Sequence, residues 1–211
     1  MFSGTFQNCT SLTSIPTGLF DAIDTSNSTN TAGMFRYTFQ RTGITSIPSG
    51  LFSTINTSNS RSTSSMFSGT FYGCGGLQGF IPSDAFPVSS NNPLLTSTTD
   101  AWTSVFASTN LYTSCPPSAS RYITGYEQRW ASAAGRAVVA CTCNPGYTQS
   151  GSTCVGNTIN ITWSGATAAA ISANNAGQCT YGGAINTPST APHIAGKVFV
   201  GWRNELPLRP E

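Results

Sequence analysis

The sequence predicts an α+β chain: a short solenoid of stacked units, each a helix plus a short strand, then a small Cys-rich connector and a small β-rich module. Three observations predict it. Met1-Phe2-Ser3-Gly4-Thr5-Phe6 returns as Met34-Phe35-Arg36-Tyr37-Thr38-Phe39 and as Met66-Phe67-Ser68-Gly69-Thr70-Phe71, at steps of 33 and 32 residues. Four of the seven cysteines, Cys115, Cys141, Cys143 and Cys154, lie together after the repeats. Beyond them, Ile159, Ile161 and Trp163 alternate with Asn160 and Thr162, the period of a half-buried strand.

Each unit opens on two phenylalanines at i and i+4 (Phe2 and Phe6, Phe35 and Phe39, Phe67 and Phe71), which one face of a helix would carry together. Asn8, Gly43 and Gly73 then break the pattern. An extended segment follows over 12–16, 44–48 and 77–82, within which Thr13-Ser14-Ile15-Pro16 matches Thr45-Ser46-Ile47-Pro48. A Leu-Phe pair and a polar loop complete the unit, Asp24-Thr25-Ser26-Asn27 aligning with Asn56-Thr57-Ser58-Asn59. The third loop, 88–99, is degenerate, and 102–111 reads as a truncated helical segment capping the stack. Met1 aligns with Met34 and Met66 inside the repeats, so it reads as a repeat residue, with an export signal expected upstream.

The stretch Cys9-Thr10-Ser11-Leu12-Thr13-Ser14-Ile15-Pro16, with Leu19-Phe20 through Asn27, resembles the BspA-type bacterial leucine-rich repeat. The units here are longer, with extra residues around Asp21-Ala22-Ile23. Residues 1–112 form this region, about three repeats plus a degenerate cap. Residues 113–156 form the connector, where Cys141-Thr142-Cys143-Asn144-Pro145-Gly146-Tyr147 with Gly151 and Cys154 resembles the C-terminal half of an EGF-like module. That resemblance implies disulfides Cys143–Cys154 and Cys115–Cys141. Residues 157–211 form the third region. Tyr181-Gly182, Pro188, Pro192, Gly196, Phe199 and Gly201-Trp202 resemble the Listeria–Bacteroides repeat, a β-grasp-like module of bacterial surface proteins, here truncated or atypical.

Cys9 and Cys74 occupy equivalent places two repeats apart. Two strand spacings of ~4.8 Å exceed the ~7 Å reach of a disulfide, so both are expected as free, buried thiols. Cys141-x-Cys143 lacks the spacing of a zinc site, and the sole histidine, His193, lies among prolines far from it. No metal or other cofactor is expected.

Charged residues make up only 8% of the chain, so hydroxyls and amides must solvate its surface, a composition suited to the cell exterior. The nine basic residues are scattered singly, which argues against a nucleic-acid partner. No apolar run reaches the ~20 residues of a membrane span. No nucleophile motif, phosphate loop or acid pair is present, so the chain reads as no enzyme. The resemblances imply a bacterial secreted or cell-surface protein for adhesion or protein recognition. Its partner would be a host, neighbouring-cell or matrix protein, or a glycan. Thr13, Ser14, Thr45 and Ser46 are the candidate binding residues on the solenoid face. Two other readings are a carbohydrate-binding module, with Trp130 and Tyr126 as an exposed aromatic pair, and a passive spacer.

Overall fold

The computed structural model describes residues 1–87, 90, 92–122, 126, 138–163 and 166–192. The chain divides into two compact units, Met1–Val155 and Gly156–Glu211.

The repeat motif forms no helix. Between Thr31 and Thr42 alternate amides are used in two different ways. The N–H groups of Met34, Arg36, Thr38, Gln40 and Thr42 each donate to the carbonyl three residues back, giving consecutive tight turns. The intervening N–H groups of Phe35, Tyr37, Phe39 and Arg41 donate to Met66, Ser68, Thr70 and Tyr72 of the next repeat at 2.8–3.0 Å. An α-helix keeps every interior N–H for its own carbonyl four residues back; here half leave the segment. The same arrangement joins Phe2, Gly4, Phe6 and Asn8 to the second repeat. It also joins Phe67, Gly69, Phe71 and Gly73 to Ala101, Thr103, Val105 and Ala107. The pattern recurs every four residues, with left-handed residues at Gly33, Tyr37 and Arg41 (φ 62°, 56° and 54°). A four-residue period brings i and i+4 side chains to one side without any helix.

The expected helix-plus-strand leucine-rich solenoid is therefore corrected. Residues 1–77 carry neither helix nor strand. Among the described residues, regular structure begins with the short strands β1 (Gln78–Gly79) and β2 (Ile81–Pro82). The degenerate loop holds a five-residue helix, α1 (Pro93–Ser97), started by a proline whose missing N–H costs nothing there. A 3-10 turn over Thr99–Trp102 follows, and the helical cap expected over 102–111 is corrected: turns occupy 103–108 and β3 (Asn110–Leu111) ends the segment. The connector supplies β4 (Ala119–Tyr122), β5 (Ala140–Cys143), β6 (Tyr147–Ser150) and β7 (Thr153–Gly156). These strands lie in separate small sheets. β1 pairs parallel with β3, β5 lies between parallel β2 and antiparallel β4, and β6 pairs with β7.

The core of this unit is aromatic. Phe2, Phe35, Phe67 and Trp102 make one column, with successive centroids 5.7, 5.5 and 4.7 Å apart and planes within 15°. Phe6, Phe39, Phe71 and Phe106 make a second, at 5.4, 5.6 and 5.7 Å. Phe20, Phe52 and Phe86 make a third, at 5.4 Å each, whose rings meet the first column edge-on or tilted. Offset stacking within columns and tilted contact between them suit the quadrupoles of the rings. Beside this core, Phe80, Ala119, Val139 and Cys141 form a smaller cluster, with Cys115, Cys143 and Cys154 packed against it.

In the second unit β8 (Thr158–Asn160) pairs antiparallel with β9 (Gln178–Thr180). Between them α2 (Ala168–Ala173) starts at Thr167, whose Oγ1 accepts from the Ala170 N–H at 3.2 Å as an N-cap. The alternation at 159–163 does not extend as one half-buried strand. β8 ends at Asn160, and Ile159 is 41% exposed. The apolar segment Lys197-Val198-Phe199-Val200-Gly201-Trp202, which reads as a further strand, lies outside the described residues.

Candidate functional site

The extended segments of successive repeats run side by side. The Thr45 N–H donates to the Thr13 carbonyl and the Gln78 N–H to the Thr45 carbonyl, each at 3.2 Å. Gln78 lies opposite Asn110 in the β1–β3 pair. Thr13, Thr45, Gln78 and Asn110 thus form one row, and all four are exposed. Three backbone steps of ~4.8 Å make the row about 14 Å long. The inward neighbours of this path, Ile15, Ile44, Ile47, Leu77 and Leu111, are buried, so the alternation along each segment turns the hydroxyls and amides outward. Each can donate and accept, matching peptide amides or sugar hydroxyls equally.

The four residues singled out in the sequence divide here. Thr13, Ser14 and Thr45 are exposed. Ser46 is half-buried, because the turn between β6 and β7 lies against it: a Cβ on Gly151 would stand 3.1 Å from the Ser46 Oγ. The next residue of that turn, Ser152, is buried, and its Oγ accepts the Ile47 N–H at 3.1 Å while its carbonyl accepts the Phe80 N–H at 3.2 Å. The connector therefore lies against Ser46 and leaves Thr13, Ser14 and Thr45 exposed. Gln78 and Asn110 were missed. Gln78 follows Leu77 as Thr13 follows Leu12 and Thr45 follows Ile44, so its phase was readable. Asn110 sits in the degenerate fourth segment and has no aligned counterpart.

Beyond Asn110 the row leads to a shallow cavity of about 460 Å³, lined among the described residues by Asn110 to Pro117, with Tyr112 44% exposed. The aromatic pair expected near Tyr126 is corrected. Tyr126 is fully buried against Trp102 at 4.7 Å, and its hydroxyl donates to the Pro87 carbonyl at 3.0 Å. Burial pushes its phenol well above the ordinary value of 10.0. Trp130 and His193 lie outside the described residues.

The acids of the repeats serve loops. Asp24 Oδ1 accepts the Ser26 N–H at 2.8 Å, and hydrogen bonding to Ser26 holds its carboxyl below the ordinary range. Asp84 accepts from Ser49 and Asp100 from Ser64, each at 2.5 Å. Cys115 is bonded to Cys141, and Cys143 to Cys154. Cys74 is buried, with its thiol 2.9 Å from the Phe39 carbonyl, and burial raises its pKa. Cys9, expected to be buried, is exposed. Cys74 is enclosed because the second repeat lies against it through Thr42, 3.4 Å away, whereas Cys9 has a repeat on one side only. Among the described residues no group of three or more His, Cys, Asp or Glu is placed to hold a metal ion, and no helix is long and apolar enough to cross a membrane.

No protein-family model, curated protein or solved structure matches the chain.

Proposed function

We propose that the chain is a non-enzymatic recognition module of a secreted or surface-exposed bacterial protein, serving adhesion or protein recognition. The observation that carries this reading is the row of Thr13, Thr45, Gln78 and Asn110, exposed on adjacent hydrogen-bonded segments over a stiff aromatic core. A row fixed by backbone hydrogen bonds is ordered before any ligand arrives, so binding need not bear the ordering cost of a flexible loop. Two disulfides are weakly consistent with an oxidising exterior. The motif resemblance to bacterial surface proteins points the same way.

The intact, oxidised chain is screened against extracellular-matrix proteins and glycans, beside a variant carrying Thr13→Ala, Thr45→Ala and Gln78→Ala. Saturable binding weakened about tenfold or more in the variant supports the reading. Binding that survives the triple change removes the row from the function, and silence from folded protein across the panel favours a spacer. The exposed Tyr112 beside the row favours a glycan as the second kind of ligand, since a sugar face packs on an aromatic ring. Tyr112→Ala then lowers glycan binding and leaves protein binding unchanged.

A further inference from the structure

We propose that Arg36 and Arg41, flanking Tyr37 on the turn ribbon of the second repeat, form a site for the carboxylate or sulfate groups of an acidic polysaccharide. This site is separate from the polar row and goes beyond the reading given above.

Tyr37 and Arg41 hold φ at 56° and 54°, a region that L side chains rarely adopt. The third repeat has Gly69 and Gly73 at the aligned positions, and the first has Gly4 and Asn8. Only the second repeat places two long side chains there. The glycines of the third repeat give them room. A Cβ on Gly69 would come within 2.4 Å of the Tyr37 ring, and one on Gly73 within 3.0 Å of Arg41 Cγ. The ring and the arginine stem thus lie directly on the backbone of the next repeat. Arg36 is held in turn by the ring, its Cζ 4.6 Å from the Tyr37 centroid and its Nη2 donating to the Tyr37 hydroxyl at 3.2 Å. Arg36 and Arg41 are nonetheless exposed.

The result is one guanidinium, that of Arg36, held on the Tyr37 ring, and a second exposed arginine, Arg41, whose stem lies against Gly73 of the next repeat. Asp24, Asp84 and Asp100 accept from serine hydroxyls or amides of their own surroundings. Guanidinium forks match carboxylates and sulfates in bidentate geometry. Beside them Gln7 Nε2 donates to Gln40 Oε1 across the repeats, so the flanking groups are amides suited to sugar hydroxyls. Two exposed arginines flanked by amides suit a polymer with repeated anions. An acidic peptide would gain less, because the side chains shown beside the arginines are the amides of Gln7 and Gln40 rather than apolar groups.

The test measures binding of the intact, oxidised chain to polygalacturonate and to dextran sulfate, with neutral dextran and polyglutamate as comparisons. Binding to either acidic polysaccharide, absent for neutral dextran and weakened by salt, is expected. Arg36→Gln with Arg41→Gln should weaken it about tenfold or more, the loss expected for charge-assisted hydrogen bonds. Arg61→Gln with Arg121→Gln, which removes the same charge elsewhere, should change it less than about twofold. Tyr37→Gly should raise thermal stability by relieving the backbone while weakening binding, a split that a purely structural tyrosine would not give. Failure to bind both acidic polysaccharides overturns the proposal. So do equal losses in the two double variants, or polyglutamate binding as tight as either polysaccharide. If the Arg36/Arg41 variant loses polysaccharide binding while the polar-row variant retains it, the two faces act independently.

Discussion

Cys9 and Cys74 align in the sequence and differ in surroundings. Cys74 is enclosed beside Thr42 and the Phe39 carbonyl, and its thiol is raised by burial, whereas Cys9 is exposed. Alkylation of the native, oxidised chain at mildly alkaline pH is expected to label Cys9 within minutes and spare Cys74 until denaturant is added, as peptide mapping would show. Equal rates would mean that the second and third repeats do not enclose Cys74. Phe35 sits in the middle of the core, touching the rings of Phe2, Phe20, Phe52 and Phe67. Phe35→Ala should cost about 3–5 kcal/mol in denaturant unfolding, because stiff stacked columns collapse poorly into a cavity. That the phenylalanines were core was readable from their recurrence. That Tyr37 and Arg41 carry strained φ values was not, because strain depends on which backbone passes beneath.

At the scale of elements, the turn between β6 and β7 is fastened to the repeats through one side chain. Ser152 Oγ accepts the Ile47 N–H in a buried setting. Ser152→Ala leaves that amide without this acceptor and should cost about 1–3 kcal/mol. The loss should show equally in the wild-type and Phe35→Ala backgrounds if the two sites are independent. The disulfides Cys115–Cys141 and Cys143–Cys154 tie the same connector, closing stretches with separations of 26 and 11 residues. Reduction should lower stability by about 2–4 kcal/mol per bond, read as a shift in the urea midpoint with and without reductant. A midpoint unmoved by reductant would mean that the β-strands of the connector hold without the cross-links. The helix expected over each Phe pair failed for a definable reason. A period of four in consecutive turns and a period of 3.6 in a helix place i and i+4 alike, and a short segment cannot distinguish them.

For the molecule as a whole, two buried acids set the alkaline limit of the first unit. Cys74 and Tyr126 both have pKa values raised by burial. In the unfolded chain they ionise near their ordinary values of 9.0 and 10.0, while the folded state keeps them protonated. Their burial therefore opposes unfolding fully below pH ~9 and progressively less as pH rises through the unfolded pKa values and beyond. Thermal unfolding should fall off above that point. Tyr126→Phe, which keeps the ring on Trp102, should flatten the part of the fall above pH ~10. A slope identical in the variant would show that Tyr126 ionises freely in the folded state.

The sequence by itself determined the repeat register, the identity of the buried phenylalanines, the exposure of Thr13 and Thr45, and the clustering of cysteines where disulfides form. Recurrence and local alternation carry those facts, and both are properties of one short stretch at a time. Only the tertiary structure decided that the repeats are turn ribbons, that the turn between β6 and β7 lies against Ser46, and that Cys9 is open and Tyr126 buried. Only it showed Gln78 and Asn110 completing the exposed row. Each of these depends on where a distant amide finds its acceptor or which backbone lies over a side chain. A pattern within one repeat does not contain that information: half of the ribbon's amides are satisfied some thirty residues away.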